Sequence, residues 1–211
     1  MTAMQCKGRF RIRQAQFDEL DEGTLRSWES LEERAVESNA FLSPRFLIPA
    51  MRHLARPEDL RETMFVFVEK TNGRGVDLVG AGVFVRSHGK RRFPLPHLRA
   101  FRSEHSYLSG ILVDRNEAEG ALRSFFQFFC NKDATWHGVE FQYRPADGFQ
   151  AELMRGIAEE FGSFWGEQGR SRRAVFAPSV RGDSYIQSHF PSGRIRELRR
   201  MRRRLEEQGD V

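Results

Sequence analysis

At 211 residues, with 39% apolar residues and 19 phenylalanines, the chain has material for one sizeable core or for a domain and a half. No run of 18 apolar residues occurs, which excludes a membrane-spanning helix, and two distant cysteines, Cys6 and Cys130, exclude a disulfide-rich scaffold. The net charge of +5 is uneven, because seven arginines face only four acidic residues between Gly193 and Val211, whereas a nucleic-acid-binding domain spreads its basic footprint over a folded face.

FRIRQAQF (Phe10 to Phe17) alternates apolar and polar residues and is predicted as a strand. TLRSWESLEERAVE follows as an amphipathic helix, with Leu25, Trp28, Leu31 and Ala35 on one face and Thr24 as its N-cap. Ser43 and Pro44 give the cap and first-turn proline of a second helix, which Pro49 should kink or restart. TMFVFVEK and VDLVGAGVFVR are β-rich runs joined across Asn72-Gly73, a hairpin signature. A basic, proline-bearing loop, SHGKRRFPLP, leads to the strand candidates HLRAF and SYLSGILVD. EAEGALRSFFQFFC is a helix that buries Ala118, Leu122, Phe125 and Phe129. Beyond it come a strand (HGVEFQYR), a helix (DGFQAELMRGIAEEFGSFWG), a strand (SRRAVFAPS) and a short helical piece (SYIQSHF). In the final stretch Ile195, Leu198, Met201 and Leu205 form one apolar stripe, with Arg196, Arg199, Arg200, Arg203 and Arg204 opposite and Gly209 as a C-terminal stop. Such a stripe calls for a protein surface to cover it, so the helix reads as a connecting element. A nucleic-acid-binding module using its basic face is the alternative. The order of elements is α+β: two early helices, a mainly antiparallel mixed sheet, then alternating helices and strands.

The chemistry-bearing patterns are sparse. The six histidines form no i, i+4 pair and no HExxH spacing, so no metal site is expected. There is no GxSxG, no Walker A loop and no strand–GxGxxG–helix unit. Phe125, Phe126, Phe128 and Phe129 cover a wide helical arc suited to core packing. Lys90, Arg91 and Arg92 form a basic loop patch, and Glu104-His105 is a weak general-base pair because neighbours in extended chain point apart. No general base stands out.

The strand–loop–helix YLSGILVDRNEAEGALRSFFQFF (Tyr107 to Phe129) is an arrangement in which loop amides and a helix N-terminus can hold a phosphate. It resembles the segment of the GNAT acyltransferases that carries the acyl-CoA pyrophosphate loop, Arg/Gln-x-x-Gly-x-Gly/Ala. Arg115 and Gly120 fit that pattern, and with Asn116 they are the candidate cofactor-binding residues. Ala118 replaces the first glycine, and Glu117 and Glu119 bring carboxylates to where a pyrophosphate needs donors. A degenerate loop is therefore expected.

Two further stretches resemble the Fem-like and CelD-type (BioF-like) branch of that superfamily. Trp28, Leu31, Asn39, Phe41, Ser43, Pro44 and Phe46 match its opening helix and its Ser-Pro-aromatic element. Tyr185, Ser188, Arg196, Arg199, Arg200, Leu205, Glu206 and Gly209 match its mid-protein signature. The resemblance, from about residue 25 onward, implies a GNAT-like domain over residues 1–190 and a connecting helix over 191–211 that leads toward a second GNAT-like domain. It also implies acyl transfer to an amine or hydroxyl of a small-molecule or glycan acceptor, with acetyl-CoA or another acyl-CoA as donor. Cell-surface polysaccharide or envelope biosynthesis is the frequent setting. A first, substrate-shaping half, or a silent partner subunit of a second domain, is the expectation, and a cytoplasmic location goes with it.

Overall fold

The computed structural model describes residues 3–5, 9–73, 75–89, 93–172 and 182–209. These fall into two compact units that divide between Glu167 and Gln168.

The first unit opens with β1 (Ala3–Gln5) and β2 (Phe10–Ala15), then α1 (Glu22–Glu33), α2 (Pro44–Leu54) and the single turn α3 (Pro57–Arg61). The hairpin β3 (Thr63–Asn72) and β4 (Gly75–Ser87) follows, then β5 (His97–Ala100), β6 (Ile111–Val113), α4 (Ala118–Phe129), β7 (Val139–Glu140) and α5 (Phe149–Glu160). The strands form one sheet in the order β1-β2-β3-β4-β5-β7, with β6 also pairing with β4. Every pairing is antiparallel except β5 with β7. The architecture is α+β, a mostly antiparallel open sheet with helices on both faces.

Burial on both faces explains the near-continuous apolar runs of the central hairpin. Along β3 the side chains alternate: Met64, Val66 and Val68 join α4 and α5 in one core, while Phe65 and Phe67 join Trp28, Leu31, Leu47 and Met51 of α1 and α2 in the other. The hairpin is closed where expected, with Asn72 opposite Gly75, whose φ of +151° suits glycine. In β4 two glycines let the first core close. A Cβ on Gly80 would lie 2.9 Å from the Phe125 ring, and one on Gly82 would lie 2.7 Å from Ile111. All four phenylalanines of α4 are buried, as their arc suggested.

Local expectations fail at four places, each for an identifiable reason. Asp21, not Thr24, caps α1, its carboxylate accepting the Thr24 N–H at 2.7 Å, so the helix starts earlier than the hydrophobic periodicity does. The α2 helix runs through Pro49 without restarting; its buried face, Leu47, Ala50 and Met51, holds it across the missing donor. Strand pairing in SYLSGILVD is limited to β6 and a single bridge of Asp114 to Ala35, because Gly110 sits at φ +151° just before β6. HGVEFQYR pairs only at β7 because the Gln142 and Tyr143 carbonyls turn to accept Ser109, and Tyr143 lies at φ +53°. The SRRAVFAPS strand, from residue 173 on, and the Lys90–Arg92 patch lie outside the described residues.

The second unit contains α6 (Gly182–His189) and α7 (Ser192–Glu206). Within it Leu198, Met201 and Leu205 of the apolar α7 stripe are exposed, from 38% at Leu198 to 55% at Leu205, while Ile195 is half-buried. Arg194 pairs with Glu197 and Arg202 with Glu206 along the helix.

Candidate functional site

Two places in the first unit can carry function: the loop between β6 and α4, and a cleft beside the start of β6.

The loop is organised by Asp114, which directly follows the buried β6. Its backbone N–H reaches the Val79 carbonyl at 2.9 Å. Its carboxylate, buried to 7% exposure, accepts Arg34 Nε at 2.6 Å and the Asn116 N–H at 2.8 Å. Arg34 also donates to the Leu78 carbonyl at 2.9 Å and to Ser30 Oγ at 2.7 Å. One residue on, Arg115 turns toward the C-terminal end of α1. Its Nε meets the Arg34 carbonyl at 3.1 Å and its Nη2 the Glu33 carbonyl at 3.0 Å, while its backbone N–H bonds Arg34 O at 3.0 Å. These are carbonyls that the end of a helix leaves without donors, and a cation there also complements the helix dipole. The Asn116 backbone N–H is held by Asp114. Glu117 pairs with Lys70, and Glu119 with Arg123, which also grips Glu160. The three candidate cofactor residues thus share one loop, and the guanidinium of Arg115 is occupied by the chain itself.

Gly120 has a packing reason. A Cβ there would lie 2.3 Å from Cζ of Phe10, so the helix needs a bare backbone where the β2 ring crosses it. Gly120→Ala is expected to destabilise the fold by about 1–3 kcal/mol through overpacking. Gly156→Ala, at an exposed α5 position with nothing within 4 Å of the new carbon, should stabilise it by up to about 1 kcal/mol. Urea denaturation of the two variants checks both, and a neutral Gly120→Ala would remove the packing explanation.

The cleft lies between the segment after α1 (Glu37, Ser38, Asn39), the approach to β6 (Leu108 to Ile111), the residues after β7 (Phe141, Arg144, Pro145) and the inner face of α5 (Gln150, Met154). It encloses about 50 Å³ and opens to solvent, room for a few water-sized positions in its closed part. Its floor is tied by hydrogen bonds: Ser109 Oγ donates to the Gln142 carbonyl, and Gln150 Nε2 to the Ile111 carbonyl at 3.1 Å. Glu37 Oε1 accepts the Gln150 N–H at 3.2 Å at the start of α5, where a carboxylate is favoured. Gly148, at φ +117°, brings the chain close against that oxygen, 2.9 Å from where its Cβ would stand.

Arg144 is the unusual member. Its Nε donates to the Pro145 carbonyl at 3.2 Å, its Nη1 points at the Met154 sulfur at 3.5 Å, and its guanidinium lies 5.3 Å over the Trp165 ring. Burial pulls its pKa below the ordinary arginine value, and the charge of Glu37 acts in the other direction. Neither Glu37 nor Arg144 carries a sequence signal, because 106 intervening positions separate them and no motif contains both.

Glu104 and His105 are exposed at a turn, away from the cleft lining. Among the described residues no group of three or more His, Cys, Asp or Glu gathers as a metal site would require. No helix there is long and apolar enough to cross a membrane.

A scan against protein-family models finds no match, and a search of curated proteins finds none. Among solved structures, one described as "a probable acetyltransferase" is similar at 15% identity with a TM-score of 0.37, covering 80% of this chain and 99% of that one.

Proposed function

We propose that this chain serves an acyltransferase of GNAT type as a substrate-shaping half, its first unit forming the acceptor cleft while acyl-CoA is held by a second GNAT-like domain or subunit. The observation that carries this reading is the commitment of the loop after β6 to internal contacts. Arg115 is spent on the carbonyls of Glu33 and Arg34, and Gly120 on the ring of Phe10. Glu117 and Glu119 set two carboxylates at the start of α4, where a pyrophosphate would have to displace or tolerate them. By contrast the cleft opens to solvent and leaves Arg144 Nη2 and Glu37 Oε2 without a hydrogen bond among the described residues. The resemblance of Trp28, Asn39, Ser43 and Pro44 to the opening of Fem-like and CelD-type proteins supports the same assignment. On this reading the acceptor is an amine or hydroxyl, the location cytoplasmic, and the setting envelope or surface-polysaccharide synthesis.

Isothermal titration of the purified chain with acetyl-CoA tests the division of labour. No saturable heat is expected up to about 1 mM ligand, a range that captures the usual affinities of enzyme substrates. Tight, saturable binding would show that the loop works as a pyrophosphate site and would end this reading.

A further inference from the structure

We infer that the cleft is a subsite for a zwitterionic α-amino acid group, with Arg144 taking its carboxylate and Glu37 its ammonium. The inference rests on the reading of the first unit as acceptor-binding and gives that acceptor a chemical class.

A guanidinium carries five N–H donors, and Arg144 is only half-buried, so the donors that the chain leaves unanswered are open to solvent or to a ligand. Arg144 has one carbonyl and a long contact to a thioether sulfur, a weak acceptor. Its Nη2 makes no hydrogen bond among the described residues. The Trp165 ring, 5.3 Å from the guanidinium carbon, attracts the cation but satisfies none of its donors, so the group is held without being neutralised.

Glu37 lines the same cleft with one oxygen engaged by the Gln150 N–H. Its Oε2 accepts no hydrogen bond among the described residues. No ion pair joins them; both instead line one small cleft. A carboxylate and a guanidinium that line one small cleft without pairing complement a ligand that carries an ammonium and a carboxylate on one carbon. Planar, two-oxygen recognition suits Arg144, and a point-charge donor suits Glu37. The open side of the cleft leaves the ligand's side chain, or a larger molecule bearing the group, in solvent.

The test is calorimetric titration of the full chain with L-alanine, acetate and methylamine, one probe for the pair of charges and one for each alone. Alanine is expected to bind with a Kd of about 1 mM, and each single-charge probe at least about tenfold more weakly. Arg144→Gln should weaken alanine about tenfold or more, and Glu37→Gln should weaken alanine while leaving acetate unchanged. Because Glu37 also supports the start of α5, circular dichroism must show each variant folded, and Arg144→Gln, which removes no ion pair, carries the result by itself if Glu37→Gln unfolds. Saturable alanine binding lost in Arg144→Gln supports the inference. No saturable alanine binding, alanine and acetate binding equally, or wild-type affinity in Arg144→Gln overturns it. Acetyl-CoA binding would overturn the division of labour and leave this result standing, so the two failures are distinguishable.

Discussion

Arg34→Met is expected to lower the stability of the first unit by about 3 kcal/mol, toward the lower end of what breaking a buried ion pair costs. The lower end applies because the Arg34 side chain is 35% exposed while Asp114 is buried. Methionine keeps the stem but leaves the Asp114 carboxylate buried against only the Asn116 N–H. It also frees the Leu78 carbonyl and Ser30 hydroxyl that Arg34 bonds. Adding Asp114→Asn removes the stranded charge and should restore part of the loss, so the two substitutions will be strongly non-additive. All three tryptophans, Trp28, Trp136 and Trp165, belong to this unit, so urea denaturation followed by their fluorescence reports on it alone. A loss below about 0.5 kcal/mol, the level of an ordinary surface pair, would mean that the pair does not organise the junction of α1, β4 and β6.

Trp28→Ala carries the largest expected effect, about 4 kcal/mol, the range for emptying an aromatic site in a close-packed core. The indole is 1% exposed and meets Phe65 and Phe67 edge-on, with centroids 6.0 and 5.7 Å away. It is the pin between α1 and the hairpin. Its Nε1 is buried without a hydrogen-bond partner among the described residues, and an unmet donor carries its own penalty of about 1–3 kcal/mol. Trp28→Phe loses volume but deletes that donor, so a net cost of only about 1 kcal/mol is expected. The comparison is made by the urea midpoint at constant slope. Equal losses in the two variants would show that the unpaired N–H has no energetic weight.

What the sequence made legible follows from how strongly each feature is written into neighbouring residues. The β3–β4 hairpin was readable because the apolar run from Met64 to Val68 is too dense for a half-exposed strand, and Asn72-Gly73 marks its turn. The α4 helix was readable from Leu122, Phe125 and Phe129 at helical spacing. The start of α1 was misplaced because capping depends on one carboxylate, Asp21, lying beyond the periodic pattern. The short β6 and β7 were overextended because Gly110 and Tyr143 leave extended geometry for reasons that only the paired strand reveals. Arg115 and Gly120 matched a phosphate-loop spacing, yet their contacts are with α1 and Phe10, partners about 80 and 110 positions away in sequence. Spacing records chemistry only where the partner is near in the chain. The cleft illustrates the same limit, since Glu37, Ser109, Arg144 and Gln150 come together solely through the order of strands.

The most direct measurement of the whole account is an amide ¹H–¹⁵N NMR titration of one sample with L-alanine and, separately, with acetyl-CoA. Alanine should shift the amides of Ser109, Gly110 and Gln150 and the indole N–H of Trp165, while acetyl-CoA leaves the amides of Arg115 to Gly120 unmoved. Saturable shifts across Arg115 to Gly120 with acetyl-CoA, or an unmoved cleft with alanine, would contradict it.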